Sequence, residues 1–352
     1  MIDAEFPSEP GFRDAPPVAV VTGASGWLGR SLVRALGTRG GRIRALVRTS
    51  QEASELALAA NGVEATVGDV RDPAALDRLL DGATGASVFH AAGVIHPASA
   101  TREFFDVNVG GTALVLDRVR RYGLGRVVYV SSNSPFGFNR SAWDLFDEDS
   151  PYRPHLGYGR SKMEAEILVR RMAEAGSIDA VIVRPPWFYG LYQPGRQTRF
   201  FAMIRRGLFP LFGDGSNRRS LVYTDNLVQG LLRAELREGV EGRTYWIADE
   251  QPYPMRTIID TVRDALRSEG LHAAPRTLRL PGIGSDIARW ADAVLQARGR
   301  YSQQLHVLGE MNQTIACSID KARRELGYEP KIDLAEGMRR SIRWCIERGE
   351  PL

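Results

Sequence analysis

Three clusters of residues in this chain have the types and spacing to do chemistry. The first is Tyr158-Gly-Arg-Ser-Lys162. On a helix, a spacing of four puts both side chains on one face, so the ammonium sits beside the phenol. A phenol of pKa ~10 is a poor base at neutral pH, and a fixed cation beside it favours the phenolate; a fall of about three units is worth roughly 4 kcal/mol. Tyr158 could then exchange a proton with a hydroxyl or carbonyl, with Lys162 tuning it. The alternative is a half-buried aromatic beside a solvated lysine. Lysine usage weighs against that alternative. All but three of the 46 basic residues are arginine, so a lysine here points to a task for a compact ammonium.

The second cluster is Val127-Val-Tyr-Val-Ser-Ser-Asn-Ser134, where hydroxyls emerge as an apolar strand ends. Ligands of parallel sheets sit beyond the carboxyl ends of the strands, which places Ser131, Ser132, Asn133 and Ser134 beside a substrate. Serines also simply cap strands and turns, and that reading stays open. The third cluster is Val18 to Arg30. A β-branched run, Val18 to Val21, is followed by Gly23, Gly26 and Gly29 before helical periodicity begins. Such glycines permit positive φ and close backbone approach, and the unpaired amides of a helix start favour a pyrophosphate. The spacing differs from G-x-G-x-x-G, so a turn serving only strand-to-helix packing is the alternative.

The elements that must position these clusters alternate. After the glycine turn, Leu28–Leu36 reads as helix, Arg42–Val47 as strand, Gln51–Ala60 as helix, Val63–Val67 as strand, Pro73–Leu80 as helix and Ala86–His90 as strand. Phe104–Val119 reads as a long helix, Arg126–Ser131 as strand, Gly157–Ala175 as helix and Ala180–Val183 as strand. That order implies an α/β fold, a doubly wound parallel sheet of Rossmann type. Beyond Pro185 the chain turns rich in Pro, Gly and aromatics, then helical again at Asp225–Leu236, Thr257–Arg267, Ile283–Ala297 and Leu334–Ile346. We expect a mobile tail over 1–16, a dinucleotide-binding domain over 17–185 and a smaller, mostly helical substrate lobe over 186–352. A helix and strand around 220–250 are expected to return to the first domain.

Composition narrows the function classes. A chain of 352 residues, 43% hydrophobic and 25% charged, is ordinary for a soluble globular protein, and no window approaches a membrane span. Cys317 and Cys345 make no disulfide framework, which suggests a cytoplasmic protein. The five histidines are scattered in sequence and form no metal-ligand pattern, so no metal site is expected. A net charge of +4 without a basic run argues against nucleic acid and suits an anionic cofactor or substrate.

Taken together, the chain resembles extended short-chain dehydrogenase/reductases, the NAD-dependent epimerase/dehydratase and 3β-hydroxysteroid dehydrogenase-like group. The matching residues are Thr22-Gly-Ala-Ser-Gly-Trp-Leu-Gly29, Gly68-Asp-Val70, His90-Ala-Ala-Gly93, Asn108-Val-Gly-Gly-Thr112, Val130-Ser-Ser132, Tyr158-x-x-x-Lys162, Arg184-Pro185, Tyr189-Gly190, Gly213-Asp-Gly215 and Val222-Tyr-x-Asp225, with Ala322–Pro330 like the family's closing segment. The resemblance implies Tyr158 as acid/base, Lys162 lowering its pKa and binding the nicotinamide ribose, and Ser132 holding the reacting oxygen. It implies a dinucleotide site of Gly23, Ser25, Gly26, Trp27, Leu28, Gly29, Asp69, Val70, Ala91, Ala92 and Pro185, with Tyr158 and Lys162 beside the nicotinamide. It also implies a homodimer, for which Phe104–Leu116 and Met163–Met172 are the candidate helices.

Between Gly41 and Gln51 there is no acid, and Arg48 stands where a 2′-phosphate would be read, so NADP is expected over NAD. The expected reaction is hydride transfer between a secondary alcohol and a ketone, with a small hydroxy or keto compound as substrate. Asn133, Ser134, Trp187 and Arg219 are the candidate substrate contacts. A nucleotide-sugar epimerase that retains NAD is the alternative, since Arg219 follows Gly213-Asp-Gly215. Dehydration is disfavoured, because Asn133-Ser134 replaces the Asp-Glu pair that marks dehydratases. A non-catalytic, nucleotide-sensing protein is the remaining class, and intact Ser132, Tyr158 and Lys162 argue against it.

Overall fold

A computed structural model describes residues 9–352. The β-branched runs form β1 (Val18–Thr22), β2 (Arg42–Val47), β3 (Val63–Val67), β4 (Ser87–His90), β5 (Val127–Val130) and β6 (Ala180–Arg184). With Thr244–Trp246 they build one seven-stranded sheet in the order Thr244–Trp246, β6, β5, β4, β1, β2, β3. Every pairing in it is parallel. The chain winds outward from β1 through β2 to β3, then crosses to β4 on the other side of β1. That reversal opens a crevice at the carboxyl ends of β1 and β4, the place where doubly wound sheets bind ligands.

Residues along β1 alternate between two cores. Ala19 and Val21 face the cluster filled by α1 (Trp27–Arg39), α2 (Ser50–Ala59), α8 (Thr224–Leu236) and α12 (Asp320–Leu326). Val18 and Val20 face α3 (Pro73–Leu80), α5 (Thr112–Arg121) and α6 (Leu156–Glu174). A sheet covered on both faces explains why its strands read as continuous apolar runs. A third core belongs to the smaller lobe, where α7 (Gly195–Arg205), α9 (Met255–Ser268) and α13 (Leu334–Glu347) bury Phe201, Ile258 and Met338. In the same lobe α10 (Ile283–Ala297) packs along α11 (Gln303–Glu310).

Two sequence expectations are altered. The long helix expected over Phe104–Val119 consists of α4 (Arg102–Phe105), a π-helical stretch Asp106–Gly111, and α5. The wider turn accommodates close contacts. Asn108 accepts from Val94 N at 2.8 Å and donates to Val94 O at 3.0 Å, and a Cβ on Gly111 would lie 2.7 Å from Val70. Of the tail expected to be mobile, residues 1–8 lie outside the described residues. From residue 9 onward it is docked: Arg13 N donates to Leu236 O at 2.9 Å, its guanidinium reaches Glu235 O and Asp179, and Phe12 lies under Arg233 and Arg237. The open carbonyls ending α8 and the two guanidinium faces supply what holds it.

Helix α6, which carries Tyr158 and Lys162, is fixed by a buried ion pair. Glu166 accepts from Arg184 Nε at 3.0 Å and Nη2 at 2.6 Å, from Tyr152 Oη at 2.8 Å and from Ser131 Oγ at 2.5 Å. Both charged groups are buried, and the Arg184 guanidinium lies 4.4 Å from the centre of the Phe136 ring. Removing one partner leaves an uncompensated charge in the interior. Glu166→Ala is therefore expected to lose about 3–5 kcal/mol of unfolding free energy, measured by urea denaturation. A loss below 1 kcal/mol would show that the pair is dispensable.

Candidate active site

Gly23 ends β1 with φ +73°, and a Cβ there would stand 2.7 Å from Ala92 N and 2.8 Å from Ala91 O. A Cβ on Gly29 would stand 2.0 Å from Gly23 O. The turn therefore presses the loop after β4 against the start of α1 with no room for side chains. Gly26 caps α1 without a side-chain hydrogen bond, so the first-turn amides face outward as an anion would need. Leu28 is buried beneath this turn, while the Trp27 ring lies 4.7 Å from Phe188 and donates from Nε1 to Leu191 O at 2.7 Å. The cradle fits a dinucleotide pyrophosphate.

Past the ends of β2 and β3, the adenosine-side candidates are each engaged by a neighbour. Asp69 takes a bidentate pair from Arg71 at 2.8 Å for each contact, and Val70 is buried against Gly111. Arg48 is exposed, with its guanidinium 3.4 Å from Glu52. Glu52, which the sequence reading did not weigh, accepts from Ser25 Oγ and from Arg48 N, each at 2.8 Å. Its signal was available: Thr49-x-x-Glu52 has the spacing of a capping box, with Thr49 Oγ1 accepting from Glu52 N while the Glu52 carboxylate reaches back to Arg48 N.

Beyond β5, Ser132 and Ser134 are 3.2 Å apart at their hydroxyls, and Ser132 lies close enough to the Tyr158 phenol to favour its ionised form. Asn133 is partly buried beside them. Burial pushes the Tyr158 phenol up to about 12, against the pull of Ser132 and of Arg196. Lys162 Nζ donates to Val130 O at 2.8 Å and lies 4.5 Å from the Tyr129 ring centre. Burial brings Lys162 down to about 7, although Glu166 opposes the shift. Burial, the largest influence on the phenol, thus raises it where the four-residue spacing led to the expectation of a lowered one, and the Lys162 ammonium is aimed at a strand-end carbonyl. Pro185 is buried just after β6, the strand that pairs with β5.

The other candidates are dispersed. Trp187 packs its ring on Phe200 at 5.3 Å, and Arg219 donates to Glu310 O. What the sequence reading missed lies in the smaller lobe. The histidines, scattered in the chain, gather in space: His155, His306 and Asp292 bring one ligand-type atom each within 4.8 Å of the others. Asp292 is 2.8 Å from His306 Nδ1, and Glu310 is 3.6 Å from His306 Nε2. Burial works against the imidazolium of His306, yet these carboxylates outweigh it and hold its pKa above the ordinary value. His96 shares a 2.5 Å hydrogen bond with Tyr301, and burial takes its pKa to about 3.

This lobe is strapped to α6. Gln296 Nε2 donates to both Asp292 oxygens, and its Oε1 accepts from Gly157 N at 3.1 Å. Leu156, just before, holds φ +52°, a conformation a branched side chain rarely adopts. No local sequence pattern announces a contact spanning more than a hundred residues.

The family model described as NAD dependent epimerase/dehydratase family matches residues 19–248. The chain belongs to that family. Within it, the Sinorhizobium fredii protein y4nL is 46% identical over 346 residues, 95% of this chain and 96% of that one. A 4-hydroxy-2-methyl-3-oxo-4-farnesyl-3,4-dihydroquinoline-1-oxide ketoreductase of Stigmatella aurantiaca is 30% identical over 328 residues, 90% of this chain and 93% of the relative. The dTDP-glucose 4,6-dehydratase DesIV of Streptomyces venezuelae, solved as a double mutant with NAD and DAU bound, superimposes with a TM-score of 0.74 at 25% identity, covering 94% of this chain and 98% of that one. Family members are NAD-dependent reductases, epimerases and dehydratases, so the cofactor here is a nicotinamide dinucleotide.

Two outcomes follow. Gly23→Val should weaken NADH and NADPH binding at least tenfold in a fluorescence titration, because it forces an unfavourable φ and a clash with Ala92 together. For Lys162, the unfolded chain binds more protons than the folded one between about pH 7 and the unfolded value of 10.5, so its contribution to stability rises with pH there. Wild type should gain about 1–2 kcal/mol on Lys162→Met between pH 7 and 9 in urea denaturation.

Proposed function

We propose that this chain interconverts a secondary alcohol and a ketone by hydride transfer, with Tyr158 moving the proton. What supports the reading is that Lys162, four residues after Tyr158 on α6, donates to Val130 O at the end of β5, the strand end that carries Ser132. A bound nicotinamide dinucleotide supplies or accepts the hydride. Ser132 holds the substrate oxygen, and Tyr158, neutral over the physiological range because its phenol lies near 12, donates its proton to a ketone oxygen. Lys162 binds the nicotinamide ribose, and Gly23, Ser25, Gly26, Trp27, Leu28, Gly29, Val70, Ala91, Ala92 and Pro185 hold the dinucleotide. The 30%-identical ketoreductase supports reduction over sugar chemistry. Asn133 and Ser134 line the oxygen side, and Trp187 closes the nicotinamide end.

Arg48 supports NADP, since an exposed guanidinium at the end of β2 can turn to a 2′-phosphate. Glu52, ionised and against Ser25, opposes that phosphate. The pair therefore gives NADP a preference of less than tenfold, which Arg48→Gln shifts toward NAD and Glu52→Gln toward NADP in KM comparisons. The likeness to a dehydratase with bound NAD favours a second reading, a nucleotide-sugar epimerase that keeps its cofactor through turnover.

The test is consumption of NADPH or NADH with a panel of hydrophobic ketones and UDP-sugars. Ketone-dependent consumption, reduced about 10²–10⁴-fold in kcat by Tyr158→Phe with dinucleotide binding retained, establishes the reductase. Sugar interconversion without net nicotinamide oxidation overturns it.

A further inference from the structure

The proposed reaction gives no task to the histidines that gather at the start of α6. His155 precedes that helix, and its ring lies 4.7 Å from Phe138 and 5.9 Å from His306, within 19° of parallel to the latter. Among the described residues neither ring nitrogen of His155 has a hydrogen-bond partner.

Asp292 is the second unusual member. It is 1% exposed, and its carboxylate meets His306 Nδ1 at 2.8 Å and the Gln296 amide at 3.0 and 3.1 Å. The buried glutamates of this arginine-rich chain, Glu166 and Glu235, each meet a guanidinium at 2.6 Å. Among the described residues the Asp292 carboxylate meets no arginine or lysine, and neither does that of Glu310, which stands 3.6 Å from His306 Nε2. A buried carboxylate that faces two imidazoles in place of a guanidinium has the donor set of a transition-metal site, two ring nitrogens and one oxygen.

The spacing suits such an ion. One ligand-type atom from each of His155, Asp292 and His306 lies within 4.8 Å of the others. A tetrahedral ion with bonds of about 2.1 Å holds its ligands about 3.4 Å apart, so the widest pair closes by at most about 1.4 Å. The Asp292 to His306 pair, now sharing a proton, opens by about 0.6 Å as the ion replaces that proton. His306 turns Nδ1 to Asp292 and Nε2 to Glu310, so an ion shared with Asp292 takes Nδ1, while Glu310 holds the opposite ring nitrogen. Gln296 holds Asp292 in the same way. Outer partners of this kind orient the ring and the carboxylate that bind a metal.

We propose that His155, Asp292 and His306 bind a divalent transition-metal ion of the zinc class, with its remaining position open to water. The ligands come from the start of α6, from α10 and from α11. The ion therefore ties the smaller lobe to the helix that carries Tyr158, beside the Gln296 to Gly157 strap.

The test uses no substrate, so it is independent of the hydride-transfer reading. The full-length chain, without an affinity tag and stripped with EDTA, is titrated with Zn2+ and Mg2+ by calorimetry and with Co2+ by visible absorption. Zn2+ should bind at about one ion per chain with Kd below about 1 μM, and its saturation should raise Tm by about 3 °C or more. Co2+ should give the intense visible bands of a tetrahedral site, and Mg2+, which prefers oxygen ligands, should not bind. His155→Ala and Asp292→Asn should each weaken Zn2+ at least 100-fold, and Glu310→Gln about tenfold. Circular dichroism shows which variants are folded. His155→Ala, at a half-buried position outside the core clusters, carries the comparison if Asp292→Asn is not. Failure of wild type to bind Zn2+ overturns the proposal. So does Zn2+ binding that the folded ligand variants leave unchanged, which would put the ion elsewhere, and so does Mg2+ binding as tight as that of Zn2+.

Discussion

The buried pair of Glu166 and Arg184 is the constraint on which the site depends. It joins the middle of α6 to the end of β6, and Ser131 at the end of β5 and Tyr152 before α6 close on the same carboxylate. One side chain thus sets the distance between the helix that carries Tyr158 and Lys162 and the strand end that carries Ser132. A buried charge pair adds little net stability compared with apolar packing, but its directional bonds permit only one helix position. For chemistry that needs hydrogen-bond geometry, position matters more than stability.

The sheet half of the molecule was legible because its signals are local. The β-branched runs, the glycine turn at Gly23 to Gly29 and the Tyr158 to Lys162 spacing each reside within a dozen residues, and the elements around them fall within three residues of expectation. The π-helical stretch at Asp106–Gly111 was not legible. It arises from Asn108 bonding to Val94 and from Gly111 meeting Val70, contacts between segments that periodicity treats separately. The docked residues from Glu9 to Pro16 escaped for the same reason, since prolines and charges look mobile until the end of α8 is set beside them.

The chemical environment was harder to read than the residue identities. Four-residue spacing places Lys162 on the face of Tyr158, but it says nothing of Val130 O, which captures the ammonium, or of the burial that moves the two pKa values in opposite senses. His155, Asp292 and His306 are separated by up to about 150 positions in the chain and converge only because α10 and α11 fold over the start of α6.

The strap from Gln296 to Gly157 bears on how such a protein could be recombined. A hydrogen bond to the backbone amide beside Tyr158 makes α10 part of the support of α6 as well as an element of the smaller lobe. A lobe exchanged between relatives as a module, with its boundary drawn after the sheet, would carry that strap into a foreign partner. The seam that preserves function therefore does not follow the division between the layers; it runs through the lobe, on the far side of α10.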